Sequence, residues 1–228
     1  MKKILIGIPT YWKEEHCLKE FIEGLGKLTY EADILIVDNT DNDFYFDKLK
    51  TLKMKDRKLT ILKDQYSDTR ISRIISSRNM IRDHFLKSKY DYLFSLDSDI
   101  LPPPDAIQKL IRADSDIASG VYLCRQVIEG QHHIQPVIYR PNDDGSVITV
   151  TKDEVTPNKL MAIAVCGMGC CLIKKEVMEK IEFRPFSQSK TGGEDVAFCT
   201  DARKNGFKIV ANTEVKCDHM GEHQTWRF

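Results

Sequence analysis

Short apolar runs alternate with helical patterns four times within the first 113 residues, and this alternation most constrains the fold. The first of these runs is continuously apolar, as in a parallel strand that is buried on both faces. Strands are predicted at 3–9, 33–38, 59–63 and 92–97, and helices at 14–28, around 46–52, 68–87 and 104–113. Such alternation favours an α/β fold with one mostly parallel sheet, right-handed crossovers and helices on both faces.

The second half of the chain contains more strand-like segments. Strands are predicted at 117–123, 135–140, 147–150, 162–173 and 207–211, and helices at 175–181 and 194–205. The run Asn142-Asp143-Asp144-Gly145 is a hairpin-turn signal between two of these strands. Because the sequence contains no repeat, low-complexity tract or linker, we expect a single domain over residues 1–228 in which both halves share one sheet.

Composition excludes several classes of function. The 228 residues are 42% apolar and carry a formal net charge of zero, so no global field favours nucleic acid or an anionic membrane. No apolar stretch approaches the roughly 20 residues of a membrane-spanning helix. The seven cysteines are odd in number and no export signal precedes them, which predicts reduced thiols in the cytoplasm. The cysteine-rich run 166–171 matches no zinc spacing and is predicted to be part of the core.

The strand predicted at 92–97 ends in two aspartates, Asp97 and Asp99, followed by three prolines. In open α/β sheets the ligand crevice lies beyond the carboxyl ends of the strands. Two carboxylates at that edge form a hard-oxygen site suited to Mg²⁺ or Mn²⁺. Such an ion would most usefully hold a diphosphate.

Two other strands end in polar residues, Pro9-Thr10-Tyr11 and Asp38-Asn39. If these strands are parallel neighbours of the strand that ends at Asp97-Ser98-Asp99, all three ends meet at one crevice. Asp38 is then suited to accept hydrogen bonds from a base or a ribose. The alternative is that Asp and Asn simply end strands and begin turns.

Arg78 falls on the apolar stripe of the helix predicted at 68–87, four residues after Ile74. A guanidinium that faces a core needs an anion, since an unpaired buried charge costs several kcal/mol. Asp97, Asp99 or a ligand phosphate would supply it. The alternative is an arginine at the edge of the stripe whose head group reaches solvent.

Two further segments carry candidate functional groups. Gly192-Gly193-Glu194-Asp195 precedes an apolar helical run, where a carboxylate is placed either as a general base or simply to complement a helix N-terminus. His219 follows an extended segment and is a candidate third metal ligand, or a surface histidine in a tail. His132-His133 has no zinc-like spacing and is predicted to lie in a loop.

In chain order, these motifs resemble those of GT-A glycosyltransferases of the family 2 type. The motifs are Ile8-Pro9-Thr10, Val37-Asp38-Asn39, Ser77-Arg78-Asn79, Leu96-Asp97-Ser98-Asp99, Gly192-Gly193-Glu194-Asp195 and Asp218-His219. The resemblance spans nearly the whole chain. An Asp-x-Asp motif alone is weak, but its position between an Arg-Asn helix and a Gly-Glu-Asp helix is more specific.

The resemblance implies a nucleotide-diphosphate-sugar donor, carrying UDP or GDP, and Mn²⁺ or Mg²⁺. Residues 1–113 would bind the nucleotide, and 114–228 would hold the acceptor and the catalytic base. Site residues carried over by position are Pro9, Thr10, Tyr11, Asp38, Asn39, Arg78, Asp97, Ser98 and Gly167 for the donor, Asp97, Asp99 and His219 for the metal, and Asp195 or, second, Glu194 for the base. The acceptor, whether a glycan, a lipid-linked molecule or a protein, is not identified.

The same resemblance implies inversion, in which the base takes the proton of an attacking hydroxyl opposite the leaving diphosphate. The Arg-Trp signature of processive synthases is not matched, which predicts transfer of a single sugar. The alternatives are a silent nucleotide-sugar-binding module of the same fold, a phosphatase with an aspartate nucleophile, and a nucleotidyltransferase. The mid-chain position of Asp97 disfavours the phosphatase, and the lack of a glycine-rich phosphate loop disfavours the nucleotidyltransferase.

Overall fold

Strand β1 (Ile4–Thr10) is buried along its whole length and lies inside the central sheet. The computed structural model describes residues 2–128, 130–143, 146–186 and 193–228. A 3₁₀ segment, Trp12–Cys17, follows β1. The other elements of the first half are α1 (Leu18–Lys27), β2 (Asp33–Asp38), α2 (Asp43–Lys50), β3 (Leu59–Lys63), α3 (Arg70–Leu86), β4 (Tyr92–Leu96), β5 (Ile100–Leu101) and α4 (Ala106–Arg112).

The second half contributes strands to the same sheet and adds shorter ones around it. Its elements are β6 (Ile117–Val121), β7 (Leu123–Ile128), β8 (Gln131–Pro136), β9 (Ile138–Pro141), β10 (Val147–Thr149), α5 (Lys152–Val155), β11 (Leu160–Ala162), β12 (Val165–Cys166), β13 (Cys170–Lys174), α6 (Lys175–Lys180), α7 (Glu194–Lys204), β14 (Ile209–Lys216), β15 (Asp218–Met220) and β16 (Thr225–Trp226).

Eight strands form the central sheet in the order β11-β14-β6-β13-β4-β1-β2-β3. Strands β4, β1, β2 and β3 pair in parallel, as do β14 and β6, whereas β13 runs antiparallel to both β4 and β6. The mostly parallel α/β sheet predicted from the sequence is therefore confirmed, and strands from both halves share it.

The sheet carries a hydrophobic core on each face. Alternate residues of β1 point to opposite sides: Leu5 packs with Ile81 and Phe85 of α3, while Ile6 packs in the cluster that contains Phe21 of α1. This double burial explains why β1 is continuously apolar from Ile4 to Ile8. No helix in the described part of the chain is long and apolar enough to cross a membrane.

Three predictions about the second half are wrong in detail. The single strand predicted at 162–173 is divided between the end of β11, β12 and β13, because the chain turns at Gly167-Met168-Gly169. The strand predicted at 135–140 is two strands, β8 and β9. His132 and His133 lie in β8 and not in a loop, since β8 pairs with β7 as an antiparallel hairpin.

The predicted turn at 142–145 is only partly described. Asp144 and Gly145 lie outside the described residues, but the antiparallel pairing of β9 with β10 agrees with a hairpin at this position. Gly192 of the Gly-Gly-Glu-Asp motif also lies outside the described residues.

Candidate active site

The ends of β4, β1 and β2 lie side by side at one edge of the sheet. Thr10, the last residue of β1, is in register with Asp38, the last residue of β2. On the other side, Gly7 of β1 pairs with Ser95 of β4, two residues before Asp97. The predicted convergence of the three polar strand ends is therefore confirmed.

Arg78 of α3 lies at the centre of a buried ionic cluster beneath this edge. Its side chain is only 4% exposed. Its guanidinium donates from Nη2 to Asp97 Oδ1 at 2.8 Å and from Nε to Glu194 Oε1 at 3.0 Å. It also donates from Nη1 to Ser95 Oγ at 3.1 Å. The anion predicted for Arg78 is thus supplied by two carboxylates, and the alternative of a solvent-exposed arginine is wrong.

The charges in this cluster stabilise one another. Burial alone would lower the pKa of Arg78, but the neighbouring carboxylates of Asp97 and Glu194 outweigh it and raise that pKa. Burial raises the pKa of Asp97, while Arg78 opposes the rise and Asp99 and Glu194 add to it. Three carboxylates so close to a single guanidinium leave negative charge in excess, which favours a further cation at this edge.

Asp99 and His219 form a second pair at the same edge, on the side of β15. His219 Nε2 lies 3.1 Å from Asp99 Oδ2, and the Asp99 carbonyl accepts a hydrogen bond from Met220 N. The His219 Nδ1 is 2.7 Å from the carbonyl oxygen of Leu123. Because a carbonyl only accepts, Nδ1 carries the proton. Nε2 faces the Asp99 carboxylate, and it can bind a cation only when the ring is neutral.

Burial alone would lower the pKa of His219, but its hydrogen bond to Asp99 and the charges of that residue and of Asp97 raise it. Trp226 and Tyr122 pack against the imidazole, with ring centroids 4.8 and 5.8 Å away. These contacts fix the ring in place beside Asp99.

Two glycines keep the floor of the site open. A Cβ at Gly169 would lie 3.0 Å from Asp97 Oδ2, and one at Gly167 would lie 2.0 Å from the hydroxyl of Tyr122. Gly169 N donates to that hydroxyl at 3.3 Å, and the Asp97 N donates to the Gly169 carbonyl. Larger residues at either position would displace Tyr122 or close the space at Asp97.

Asp195 lies in the first turn of α7, next to Glu194. Its Oδ1 accepts a hydrogen bond from the backbone of Val196 at 2.8 Å. Burial and the charge of Glu194 raise the pKa of Asp195 to about 6. Asp195 forms no ion pair with any residue that the structure describes, whereas Glu194 is held by Arg78.

The donor atoms suit a hard divalent cation. Carboxylates of Asp97 and Asp99 and the Nε2 of His219 are an oxygen and nitrogen set that Mn²⁺ accepts and, for the oxygens, Mg²⁺ prefers. The space that Gly169 leaves beside Asp97 Oδ2 agrees with this. Among the described residues, however, Asp97, Asp99 and His219 do not bring three ligand atoms within 4.8 Å of one another. Only Glu14, His16 and Cys17 do so.

The polar residues after β1 and β2 are largely occupied by protein partners. Thr10 Oγ1 and the Tyr45 hydroxyl are 3.1 Å apart. The Asp38 carboxylate has no exposed surface: Oδ1 accepts from Thr40, and Oδ2 accepts from Lys63 Nζ at 2.9 Å. Contact between Asp38 and a base therefore requires one of these partners to move.

Asn39 is also buried, and its Nδ2 donates to Ser77 Oγ, which in turn donates to Asp64 Oδ2. These bonds connect the end of β2 to α3 and to the residue after β3. Pro9 and Ser98 are buried as well, so their side chains line the floor of the edge rather than its surface.

Tyr11 directly follows β1 and is partly exposed, whereas Pro9 and Thr10 are buried. The guanidinium carbon of Arg73 lies 5.0 Å from the Tyr11 ring centroid and 5.2 Å from that of Tyr66. This Tyr11–Arg73–Tyr66 stack closes the side of the edge next to the N-terminus of α3.

The model of one protein family, glycosyl transferase family 2, matches residues 5–182. The chain belongs to glycosyl transferase family 2. A comparison with curated proteins finds no match. The matched segment contains the Arg78, Asp97 and Gly167 positions of the site, while Glu194, Asp195 and His219 follow it.

Solved structures show the same GT-A fold. The structure of GalNAc-T7 with UDP, GalNAc and Mn²⁺ has a TM-score of 0.67 and 16% identity, covering 97% of this chain and 44% of that one. The structure of S. aureus TarS 1-349 in complex with UDP-GlcNAc has a TM-score of 0.57 and 15% identity, covering 94% of this chain and 56% of that one. A197 from STIV has a TM-score of 0.50 and 17% identity, covering 100% of this chain and 94% of A197. The chain thus spans about half the length of the GalNAc-T7 and TarS chains.

Four residues of this family 2 domain were not predicted as part of the site. They are Glu14, Asp64, Arg73 and Tyr122. Burial and the charge of Asp99 raise the pKa of Glu14 to about 7, which places Glu14 near Asp99. Asp64 directly follows β3, so the rule used for the other three strand ends would have found it. Nothing in the local sequence marks the other three.

Proposed function

We propose that this family 2 domain transfers one sugar from a nucleotide-diphosphate-sugar to an acceptor hydroxyl, with metal dependence and inversion, and without processive polymerisation. The observation that carries the proposal is that Glu194 and Asp195, which are adjacent, differ in their ion pairing. Glu194 is bound to Arg78, while Asp195 has a raised pKa and no described ion-pair partner. A carboxylate with a pKa of about 6 is suited to take a proton near neutral pH.

Asp195 is therefore the base in this proposal, in preference to Glu194. Its carboxylate would accept the proton of the acceptor hydroxyl as the bond between sugar and phosphate breaks. Arg78 holds Glu194 and Asp97 in place and so positions the first turn of α7 next to the metal-site carboxylates. Attack on the sugar face opposite the leaving diphosphate gives inversion.

Asp97, Asp99 and His219 would hold Mn²⁺ or Mg²⁺. Bound there, the ion would neutralise the charge that builds on the leaving diphosphate. The chain itself contributes the orientation of His219, through its Nδ1 bond to Leu123, and the open space at Gly169. The relative GalNAc-T7, which was crystallised with UDP and Mn²⁺, supports this choice of ion and a UDP-sugar over a GDP-sugar.

The donor nucleotide would lie along the ends of β1 and β2. Tyr11 would contact the nucleoside directly, and the buried Pro9, Thr10, Asp38 and Asn39 would lie beneath it, with Asp38 reaching the base only after Thr40 or Lys63 moves. Ser98 and Gly167 would lie near the diphosphate and sugar. Residues 1–113 would then form the nucleotide-binding half and 114–228 the acceptor half of a single domain. All seven cysteines are free thiols, which supports a reducing compartment such as the cytoplasm.

The experiment is a panel of UDP- and GDP-sugars incubated with the protein and Mn²⁺ or Mg²⁺, in which release of free nucleotide is measured. We expect one donor to be consumed, and the Asp195→Asn variant to lose about 10²–10⁴-fold of this rate while nucleotide affinity is kept. Asp201→Asn is the matched control, because Asp201 lies on the same helix and pairs only with Arg184 at the surface.

Two outcomes would contradict the proposal. Release of nucleotide by Asp195→Asn at the wild-type rate, with water as the acceptor, would show that Asp195 is not the base. Tight nucleotide binding without turnover of any donor would instead favour the silent binding module.

A further inference from the structure

We propose that one face of the β7–β8 hairpin is the acceptor-binding wall of the site, and that it takes an uncharged, hydroxyl-rich glycan. This inference rests on the proposed function and names the acceptor class that the function leaves open. The face, here called the inner face, consists of Cys124, Gln126, His133 and Gln135.

Burial alternates along both strands of the hairpin, which distinguishes two faces. In the antiparallel register Cys124 is opposite Gln135 and Gln126 is opposite His133, so these four side chains share one face. All four are partly buried. The outer face consists of Arg125, Val127, His132 and Ile134, which are all exposed.

The inner face is turned toward the candidate active site. The hairpin begins at Leu123, whose carbonyl accepts the hydrogen bond from His219 Nδ1. Burial and the charge of Asp99 raise the pKa of the Cys124 thiol, while Arg70 opposes the rise, so Cys124 is within electrostatic reach of the metal-site edge.

A second link connects the inner face to the proposed base. Gln126 Nε2 donates to the Tyr139 hydroxyl at 3.2 Å. Burial and the charge of Asp195 raise the pKa of Tyr139, which places its ring near that carboxylate. A molecule that lies against Gln126 and Tyr139 therefore has its hydroxyls close to Asp195.

The chemistry of the inner face selects against a charged acceptor. Its side chains are two amides, an imidazole and a thiol, and its described residues include no carboxylate, lysine or arginine. Amides and an imidazole exchange hydrogen bonds with hydroxyls, whereas a phosphate or sulfate would need cations that this face lacks.

The experiment is a printed glycan array that carries uncharged, phosphorylated and sulfated glycans, probed with the labelled protein with and without UDP and Mn²⁺. We expect the uncharged glycans to bind, and Gln126→Ala and His133→Ala each to weaken that signal about tenfold through the loss of one hydrogen-bonding partner. Arg125→Ala and Ile134→Ala on the outer face are the controls, and they should bind as the wild type does.

Binding only to phosphorylated or sulfated glycans, binding to none, or equal effects of inner- and outer-face variants would overturn the inference. The array needs no turnover, so its outcome is independent of the donor assay. Glycan binding without donor consumption would contradict the proposed function alone, and donor consumption without uncharged-glycan binding would contradict this inference alone. If Gln126→Ala lowers the melting temperature markedly, His133→Ala decides.

Discussion

Two carboxylates of the site, Asp97 and Glu194, are bound to Arg78, whereas their neighbours in the sequence, Asp99 and Asp195, are not. Asp97 and Glu194 receive hydrogen bonds from Arg78 at 2.8 and 3.0 Å. Asp99 pairs with His219, and Asp195 accepts only from the backbone of Val196 among the described contacts. Carboxylates that are almost adjacent in the sequence thus have different bonding partners.

Local geometry separates each pair. A turn closed by the hydrogen bond from Ile100 N to Asp97 O, 3.1 Å long, turns Asp99 away from Asp97. In the first turn of α7, successive side chains point about 100° apart, which directs Glu194 to the buried Arg78 and leaves Asp195 to one side. Asp97 and Glu194 bind Arg78 and so stabilise the arrangement of the site. Asp99 and Asp195, which the structure also describes, form no ion pair with Arg78, so their carboxylates can interact with a ligand.

The largest effect on stability should come from removing Arg78. Arg78→Ala leaves the nearly buried Glu194 and the partly buried Asp97 without their shared cation, which should destabilise the fold by about 3–5 kcal/mol. The free energy of unfolding from urea titration at neutral pH measures this.

The matched control is Arg184→Ala, which breaks an ion pair with Asp201 at the surface, where the arginine side chain is 43% exposed. Its cost should be about 0–1 kcal/mol. Equal costs for the two variants would mean that the Arg78 cluster contributes no more than a surface ion pair.

The pairing of Arg78 with Asp97 could be predicted in part from the sequence. Arg78 on an apolar stripe required an anion, and Asp97 was among the candidates, because helical periodicity and strand ends are local patterns. The same local patterns placed Thr10 and Asp38 at the common edge. Elements such as β1, β2 and α1 could be predicted because these strands are almost entirely buried and this helix has a clear apolar face.

What the sequence could not predict was long-range pairing. Glu194 lies 116 residues from Arg78, and no periodicity connects them. The antiparallel β13 was merged with β12 because Cys166 to Ile173 is apolar throughout, and burial on both faces hides the turn at Gly167. The sequence predicts a loop at His132-His133 because the apolar and polar residues of this hairpin alternate only weakly.

Among the groups that are not bound to Arg78, the next largest effect should be on metal binding. His219→Ala, and likewise Asp99→Ala, should weaken Mn²⁺ binding in the presence of UDP by about 100-fold, the upper end of the effect of a supporting ligand. The signal of free Mn²⁺ in electron paramagnetic resonance titrations measures the affinity. Asp218→Asn is the control, since Asp218 adjoins His219 but pairs with Arg227 at the surface. Unchanged affinity in His219→Ala would remove this histidine from the metal site.

A dependence on pH sharpens the comparison at Asp195. Because the pKa of Asp195 is raised to about 6, the rate of transfer should rise about tenfold per pH unit below pH 6 and level off above it. The same raised pKa means that the folded state binds this proton more tightly than the unfolded state does. Its contribution to stability is therefore present at low pH and is lost as the pH rises from about 4 to about 6.

Asp195→Asn should remove that loss, so the difference in unfolding free energy between wild type and variant should change with pH across this window and be flat above it. Glu14, whose pKa is raised to about 7, is present in both proteins and cancels in the difference. A flat difference from pH 4 to 7 would mean that Asp195 titrates as an ordinary surface carboxyl. The contrast between carboxylates that are bound to Arg78 and those that are not would then rest on Asp99 and His219 alone.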